Sequence, residues 1–270
     1  MFALRSNLII GMTTYHNEYL ELSIPVLGRL KQKFILVIHN DNPAVKITKR
    51  YIRKLGYTGK LYIINSAHNV GLLKSRLAIL NLIKQKKLHK DWFLFINDDD
   101  FLLDAIVPRV SEKNFAIIQN MCLIKNRLID VLRVSSRKAL CDIDNENTVI
   151  VQPHISITGT IVRTKYMLLA GELLSSIEEK LYDIDAGLSF MPPTDLIMWN
   201  AVNQIAKSID SDSTPIYMDS VNYVATDIDR TDNRYDIPRR PSKNATTQIE
   251  RALAKYSAVI SAALENNAKN

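Results

Sequence analysis

Over the first hundred positions, apolar residues fall in short unbroken runs, and each run is closed by a polar cluster. The run from Asn7 to Gly11 ends at Thr13-Thr14-Tyr15-His16-Asn17, and Glu18 to Leu30 then carries Leu20, Ile24, Leu27 and Leu30 at helical spacing. Phe34 to Ile38 is a second run, closed by His39-Asn40-Asp41-Asn42-Pro43, and the spacing predicts a helix from Val45 to Leu55 before Gly56. Leu61 to Ile64 predicts a third strand, Gly71 to Lys86 its helix, and Trp92 to Ile96 a fourth strand. Strands apolar at every position and separated by helices predict a parallel sheet covered on both faces. In such sheets, ligands bind outside the carboxyl ends of the strands. The polar loops Thr13 to Asn17, His39 to Asn42, Ser66 to Asn69 and Asn97 to Asp100 all fall at those ends.

Beyond Pro108 the pattern loosens. Apolar segments recur at Phe115 to Ile118 and Leu128 to Leu132, a strand is expected at Thr148 to Val151, and His154 to Val162 alternates apolar and polar residues. These predict a mixed-sheet second half. Asp195 to Ala206 reads as a helix after Pro192-Pro193, with Thr194 as N-cap, and Ile216 to Val224 as a strand. A terminal helix is expected from Ala245 to Ala263, with Ile249, Leu253, Tyr256 and Ile260 on one face. The expected organisation is one α/β domain: residues 1–108 as a first half, 109–240 as a second, and 241–270 as a helical tail.

The 270 residues are 47% apolar and 23% charged, proportions of a compact globular protein rather than a disordered one. The two cysteines, Cys122 and Cys141, indicate neither a zinc knuckle nor a disulfide framework. The N-terminus runs almost directly into Leu8-Ile9-Ile10, which predicts no secretory signal, and every apolar run is too short to span a bilayer. A cytoplasmic protein is expected. A net charge of +7 favours anionic partners. The charge reads as dispersed, without the basic face and interleaved aromatics of a nucleic-acid binder, so no nucleic-acid partner is expected. The tail, with Arg239, Arg240, Lys243, Arg251 and Lys255, has two readings: peripheral contact with an anionic membrane or a partner subunit, or a packed terminal helix.

Asn97-Asp98-Asp99-Asp100 changes the picture most. Consecutive carboxylates directly after an apolar strand repel one another unless a cation compensates them. Hard cations such as Mg2+ or Mn2+ take oxygen ligands, often only one or two from the protein, with phosphates and waters as the remainder. Asp99 is the first candidate ligand and Asp100 a second, with Asp98 placed against the ribose or behind the ligands; the alternative is a solvated acidic turn capping a helix. Asn69-Val70-Gly71 opens the helix after strand three, where Gly71 permits close approach and helix N–H groups favour an anion. Arg76 then faces the crevice, toward a carboxylate of the acidic loop or a phosphate, or else is a solvated helix charge.

Taken together, Ile9 to Asn17, Asn69-x-Gly71-x-x-x-Ser75-Arg76 and Phe95 to Asp100 resemble, in order and spacing, the N-terminal half of glycosyltransferase family 2. The resemblance covers about the first 105 residues. It implies the GT-A fold, a nucleoside-diphosphate sugar donor with UDP favoured, a DxD-type motif binding metal and diphosphate, and transfer with inversion to a glycan or lipid-linked acceptor. By the same resemblance Thr13, Thr14 and Tyr15, with Asn17, form the first nucleotide loop, and Asp41 matches the strand-two aspartate that contacts the base. Asn69, Gly71, Arg76, Asn97 and Asp98 complete the donor side. The DxD register is either Asn97 with Asp99 or Asp98 with Asp100. An acidic residue at the start of a later helix is implied as the base, and Thr194-Asp195 matches it with Asp195 as the candidate; the alternative for Asp195 is an interaction with the helix dipole.

His154 reads as an acceptor-side residue or a structural histidine, Asp227 as a substitute for a late metal ligand, and Asp229 to Arg234 as a loop closing over the donor. A magnesium-dependent phosphatase or nucleotidyltransferase also places aspartates at strand ends. The first normally carries its Asp-x-Asp after strand one, and the second a glycine-rich basic first loop, which Thr13 to Asn17 lacks. A non-catalytic nucleotide- or anion-binding module is the remaining alternative.

Overall fold

The computed structural model describes residues 7–103, 107–125, 148–151, 157–185, 194–227 and 243–269. Nine strands form one sheet: β1 (Leu8–Thr14), β2 (Ile35–Asn40), β3 (Lys60–Asn65), β4 (Trp92–Asn97), β5 (Phe101–Leu102), β6 (Asn114–Lys125), β7 (Thr148–Val151), β8 (Ile161–Arg163) and β9 (Thr214–Asp227). Their order is β3-β2-β1-β4-β8-β6-β9-β5, with β7 beside β6. The four on the β3 side run parallel, as the apolar runs predict. β8 turns antiparallel to both β4 and β6, and β6 pairs parallel with β9, so the remainder of the sheet is mixed. This is an α/β fold with a mainly parallel half and a mixed half.

The helices are α1 (Leu20–Arg29), α2 (Lys49–Lys54), α3 (Leu72–Gln85), α4 (Thr164–Ser176), α5 (Glu178–Asp185), α6 (Thr194–Ile209) and α7 (Lys243–Lys269), with a 3-10 turn at Asn17–Tyr19 before α1. β1, β2 and β4 are buried on both faces because their alternate residues enter different cores, whereas β3, at the sheet edge, fully buries only Leu61. Ile9, Phe93 and Phe95 join the core under α3, α4, α6 and α7. Leu8, Ile10, Met12, Leu94 and Ile96 join the one under α1 and α2. Gly11 faces the first core: a Cβ there would lie 2.7 Å from Phe93 Cζ and 3.1 Å from Ile79 Cγ2, so glycine permits α3 to seat on β1.

Three local expectations are corrected, and for the tail one of the two readings is favoured. The helix expected over 45–55 contracts to Lys49–Lys54, with Thr48 Oγ1 accepting from Tyr51 N at 3.2 Å. Residues 42–47 are held as a loop by asparagine side chains instead. Of the alternating stretch from 154 to 162, the described residues 157–162 supply only Ile161 and Val162 to a strand, with α4 starting at Thr164; His154 itself lies outside the described residues. Thr194 is the first helical residue of α6 and not its cap. In the tail, α7 buries Ala252, Tyr256 and Ile260 in the first core, so the terminal helix is a packed one; Arg239 and Arg240 lie outside the described residues, as do Leu128 to Leu132 and Asp229 to Arg234. Among the described residues, no helix is long and apolar enough to cross a membrane.

Candidate functional site

β1 extends past its apolar run because Thr13 and Thr14 pair with His39 and Asn40 on one side, and Thr13 with Asn97 on the other. This register brings the first polar loop against the acidic one. Thr14 Oγ1 donates to Asp98 Oδ2 at 2.7 Å, and the Tyr15 backbone N–H donates to the same oxygen at 3.3 Å. Beyond Asp98 the chain turns tightly, Asp100 N donating to Asn97 O and Asn97 N to Asp100 Oδ2, both at 3.2 Å. Asp98, Asp99 and Asp100 are 6%, 5% and 2% exposed, so three consecutive carboxylates sit away from bulk water at the end of β4. A solvated acidic turn is therefore ruled out.

Buried charges of one sign repel one another, and a bound cation relieves that repulsion. The donor set is oxygen only, which fits Mg2+ or Mn2+. Among the described residues, no three His, Cys, Asp or Glu side chains gather as a dedicated metal cage. Asn17, beside Thr14, is buried and its Nδ2 has no partner among the described residues.

Asparagines organise the neighbouring loop. Asn40 and Asn65 close β2 and β3 at paired positions. Asn40 Nδ2 donates to Asn65 Oδ1 at 3.0 Å and to the Val45 carbonyl at 2.5 Å, while Asn65 exchanges hydrogen bonds with the Ile47 backbone. Asn42 Nδ2 reaches the Tyr15 carbonyl at 3.0 Å, tying the β1 and β2 loops together. The sequence placed Asn40 and Asn42 in a strand-end loop without singling them out and left Asn65 aside, although the same residue closing two adjacent strands was a usable signal.

Asp41 differs from its expected place. Its Oδ1 accepts from Val70 N at 2.7 Å and its Oδ2 from Gly71 N at 2.9 Å, so the anion at the N-terminus of α3 is the protein's own carboxylate. Asn69 Oδ1 accepts from the same Gly71 N–H at 2.9 Å. The Gly71 amide is thus engaged twice by side chains of the protein. Gly71 takes φ +81°, a conformation that glycine adopts without strain. His39, buried beside Asp41, has its imidazole pKa lowered by burial, against the opposing pull of the Asp41 charge. Its Nε2 lies 3.2 Å from Ser66 Oγ.

A third group lies on the face of α3 and α6. Arg76 is completely buried, its guanidinium stacked 5.1 Å over the Phe95 ring. Its Nη1 donates to Asp195 Oδ1 at 2.5 Å and its Nη2 to Thr158 Oγ1 at 2.6 Å, while Thr158 Oγ1 itself donates to Asp195 Oδ1 at 2.5 Å. The carboxylate that Arg76 holds is thus that of Asp195, on the first turn of α6. A buried guanidinium requires such a counter-charge. The Asp195 side chain remains 37% exposed, fixed at one oxygen yet open to solvent. Thr158 is placed by a bridge to Phe95, with Gly159 N donating to Phe95 O at 3.0 Å and Gln119 Nε2 to Gly159 O at 3.0 Å. Phe95 is two residues before Asn97, so this group sits roughly 7 Å along β4 from the acidic turn. Thr158 and Gln119 were not singled out by the sequence; a threonine before a glycine marked only a turn. Asp227 ends β9, and its side chain lies outside the described residues, so its expected ligand role rests on sequence alone.

No family model matches the chain, and no curated protein matches it. Among solved structures it is similar to TarS 1–349 from S. aureus, with 16% identity and a TM-score of 0.46 over 81% of this chain and 60% of that one. It is also similar to the mannosyltransferase PcManGT from Pyrobaculum calidifontis, solved in complex with GDP-Man and Mn2+, with 12% identity and a TM-score of 0.42 over 97% of this chain and 75% of that one. The chain spans about 60% of the length of the TarS structure. Identities this low carry no residue roles across.

Proposed function

We propose that this chain is a metal-dependent glycosyltransferase of the GT-A type, moving a sugar, as a hexosyltransferase, from a nucleoside-diphosphate sugar to a glycan or lipid-linked acceptor with inversion. The observation that carries the reading is the buried run Asp98-Asp99-Asp100 at the carboxyl end of β4, clamped to the first loop through Thr14 and Tyr15. Asp99 and Asp100 would hold Mn2+ or Mg2+. When bound, the cation supplies positive charge to the departing diphosphate. Asp98, fixed by Thr14 and the Tyr15 amide, sets the first loop against the donor, and Thr13, Asn17 and Asn97 line the same strand ends. The unpartnered Nδ2 of Asn17 offers the donor a hydrogen bond.

Asp195 takes the proton of the acceptor hydroxyl. Arg76 and Thr158 hold one carboxylate oxygen in place, and the partial exposure of the side chain leaves it open to an acceptor. Both groups hang on β4, which keeps the site of charge development and the proton acceptor on one rigid strand. UDP is the favoured nucleotide on the strength of the resemblance to glycosyltransferase family 2. The test is calorimetry of the full chain with UDP, GDP, CMP and dTDP sugars, each with and without Mn2+. Manganese-dependent binding of one donor is expected; heat-silent titrations with all four would overturn the reading.

A further inference from the structure

Residues 31–60 hold eight lysines and arginines and one acidic residue, Asp41. Their net charge is +7, the charge of the whole chain, and the other 240 residues carry 27 basic and 27 acidic side chains. The positive charge is therefore not dispersed. All eight basic side chains are exposed, whereas Asp41 is buried and bonded to the α3 N-terminus, so the surface of this segment presents cations alone.

The segment also forms one continuous flank. α2 packs on α1, where Gly28 meets the Gly56 carbonyl and Tyr51 Oη donates to Glu21 at 3.3 Å, and β3 is the outermost strand of the sheet beside them. Lys46 in the 42–47 loop is followed by Lys49, Arg50, Arg53 and Lys54 at helical spacing on α2, and then by Lys60 at the foot of β3. Val45, 46% exposed, projects among the upper ones.

We propose that this α2 flank docks on an anionic lipid bilayer. The lysines and arginines of residues 31–60 have no exposed acid interspersed in their own segment, the nearby Glu21 of α1 being engaged by Tyr51; such clusters gain favourable energy, residue by residue, near a negatively charged leaflet, and an exposed valine among them suits the interfacial zone. A nucleic acid fits less well. Tyr57 is buried, Tyr51 is half-buried and bonded to Glu21, and Tyr62 of β3 is half-buried against the first core with Lys60 Nζ 5.6 Å over its ring, so no aromatic side chain of the flank stands fully exposed for a base to stack on. The loop at 42–47 belongs both to the flank and, through Asn40 and Asn42, to the strand-end crevice. Docking therefore brings that crevice to the membrane surface. α7 is not part of the patch: residues 241–270 carry four basic and two acidic side chains, and the helix spends its apolar face on the core.

The experiment is co-sedimentation of the full chain with phosphatidylcholine vesicles, with and without about 30% phosphatidylglycerol, at about 0.1 M and 1 M salt. Vesicle binding is read without turnover, so its outcome is independent of the sugar-transfer reading. Wild type should pellet only with the anionic vesicles and only at low salt. Lys46→Gln, Lys49→Gln, Arg50→Gln and Lys54→Gln combined should lower the partition about tenfold or more, while Arg251→Gln with Lys255→Gln should leave it unchanged. Arg53 is left intact because its Nη1 caps the Tyr57 carbonyl at 2.8 Å. Circular dichroism melting checks the variant; should the quadruple change unfold, the pairs Lys49/Arg50 and Lys46/Lys54 are neutralised separately. The proposal is overturned by absent wild-type binding, by full binding of the neutralised variants, by loss through the α7 pair, or by mixed-sequence DNA outcompeting the vesicles.

Discussion

Replacing Asp195 by Asn keeps the shape of the side chain and a hydrogen-bonding oxygen for Arg76 and Thr158, and removes its capacity to accept a proton as a carboxylate. Turnover should fall about 10² to 10⁴-fold with donor affinity retained, measured by single-turnover kinetics beside donor calorimetry. Near-normal turnover would leave Asp195 only its part in neutralising Arg76. A second prediction at this scale concerns His39. Burial holds its imidazole below the ordinary value, so as pH falls through about 6.5 the unfolded chain takes up the proton first. Its contribution is thus present above that pH and declines below it, by at most about 1.4 kcal/mol per pH unit. His39→Gln should melt with a shallower loss between about pH 7 and pH 5.5 than wild type; parallel curves would show that other groups govern the acid limb.

At the scale of elements, the carboxylate of Asp41 and the N-terminus of α3 form one unit. Asp41→Ala removes two charge-assisted hydrogen bonds to backbone amides and an anion at the helix start, and should cost about 2 to 4 kcal/mol in urea unfolding. Were the residue chiefly a nucleotide contact, the same substitution would lower donor affinity and spare the unfolding midpoint. How legible each element was follows from similar local physics. β1, β2 and β4 announced themselves because burial on both faces demands unbroken apolar runs, the edge strand β3 showed a shorter run of the same kind, and the strand-end loops followed from the polar residues that close them. α4 was missed although Tyr166, Met167, Ala170, Leu173 and Leu174 already carry helical spacing: Arg163 caps it without a side-chain hydrogen bond, and the alternation just before it suggested a longer strand. The acidic turn was readable from three aspartates in a row. The pairing of Arg76 with Asp195 across 119 positions was not, since nothing local in either segment specifies the other.

For the whole molecule, the distribution of charge was as hidden as the long-range contacts, because a total of +7 looks the same whether spread or gathered. It becomes a surface only when Asp41 turns inward and α2 settles on α1. The sheet has a comparable property. β4 stands in its middle with β1 on one side and β8 on the other, and β8 arrives from more than sixty residues further along the chain. A fragment comprising residues 1–108 is therefore expected to keep its nucleotide-side loops yet run as dimers or larger species in size-exclusion chromatography with light scattering; a well-behaved monomer would show that β8 is dispensable.

The bridge between Phe95 and Thr158 carries that dependence into the chemistry. Whichever way the polypeptide were split, the severed seam would present unsatisfied peptide groups along one strand while the proton acceptor's anchor departed with the other piece. Aggregation and inactivity would share a single origin, and a complementation assay that reunites the two pieces should restore both traits together.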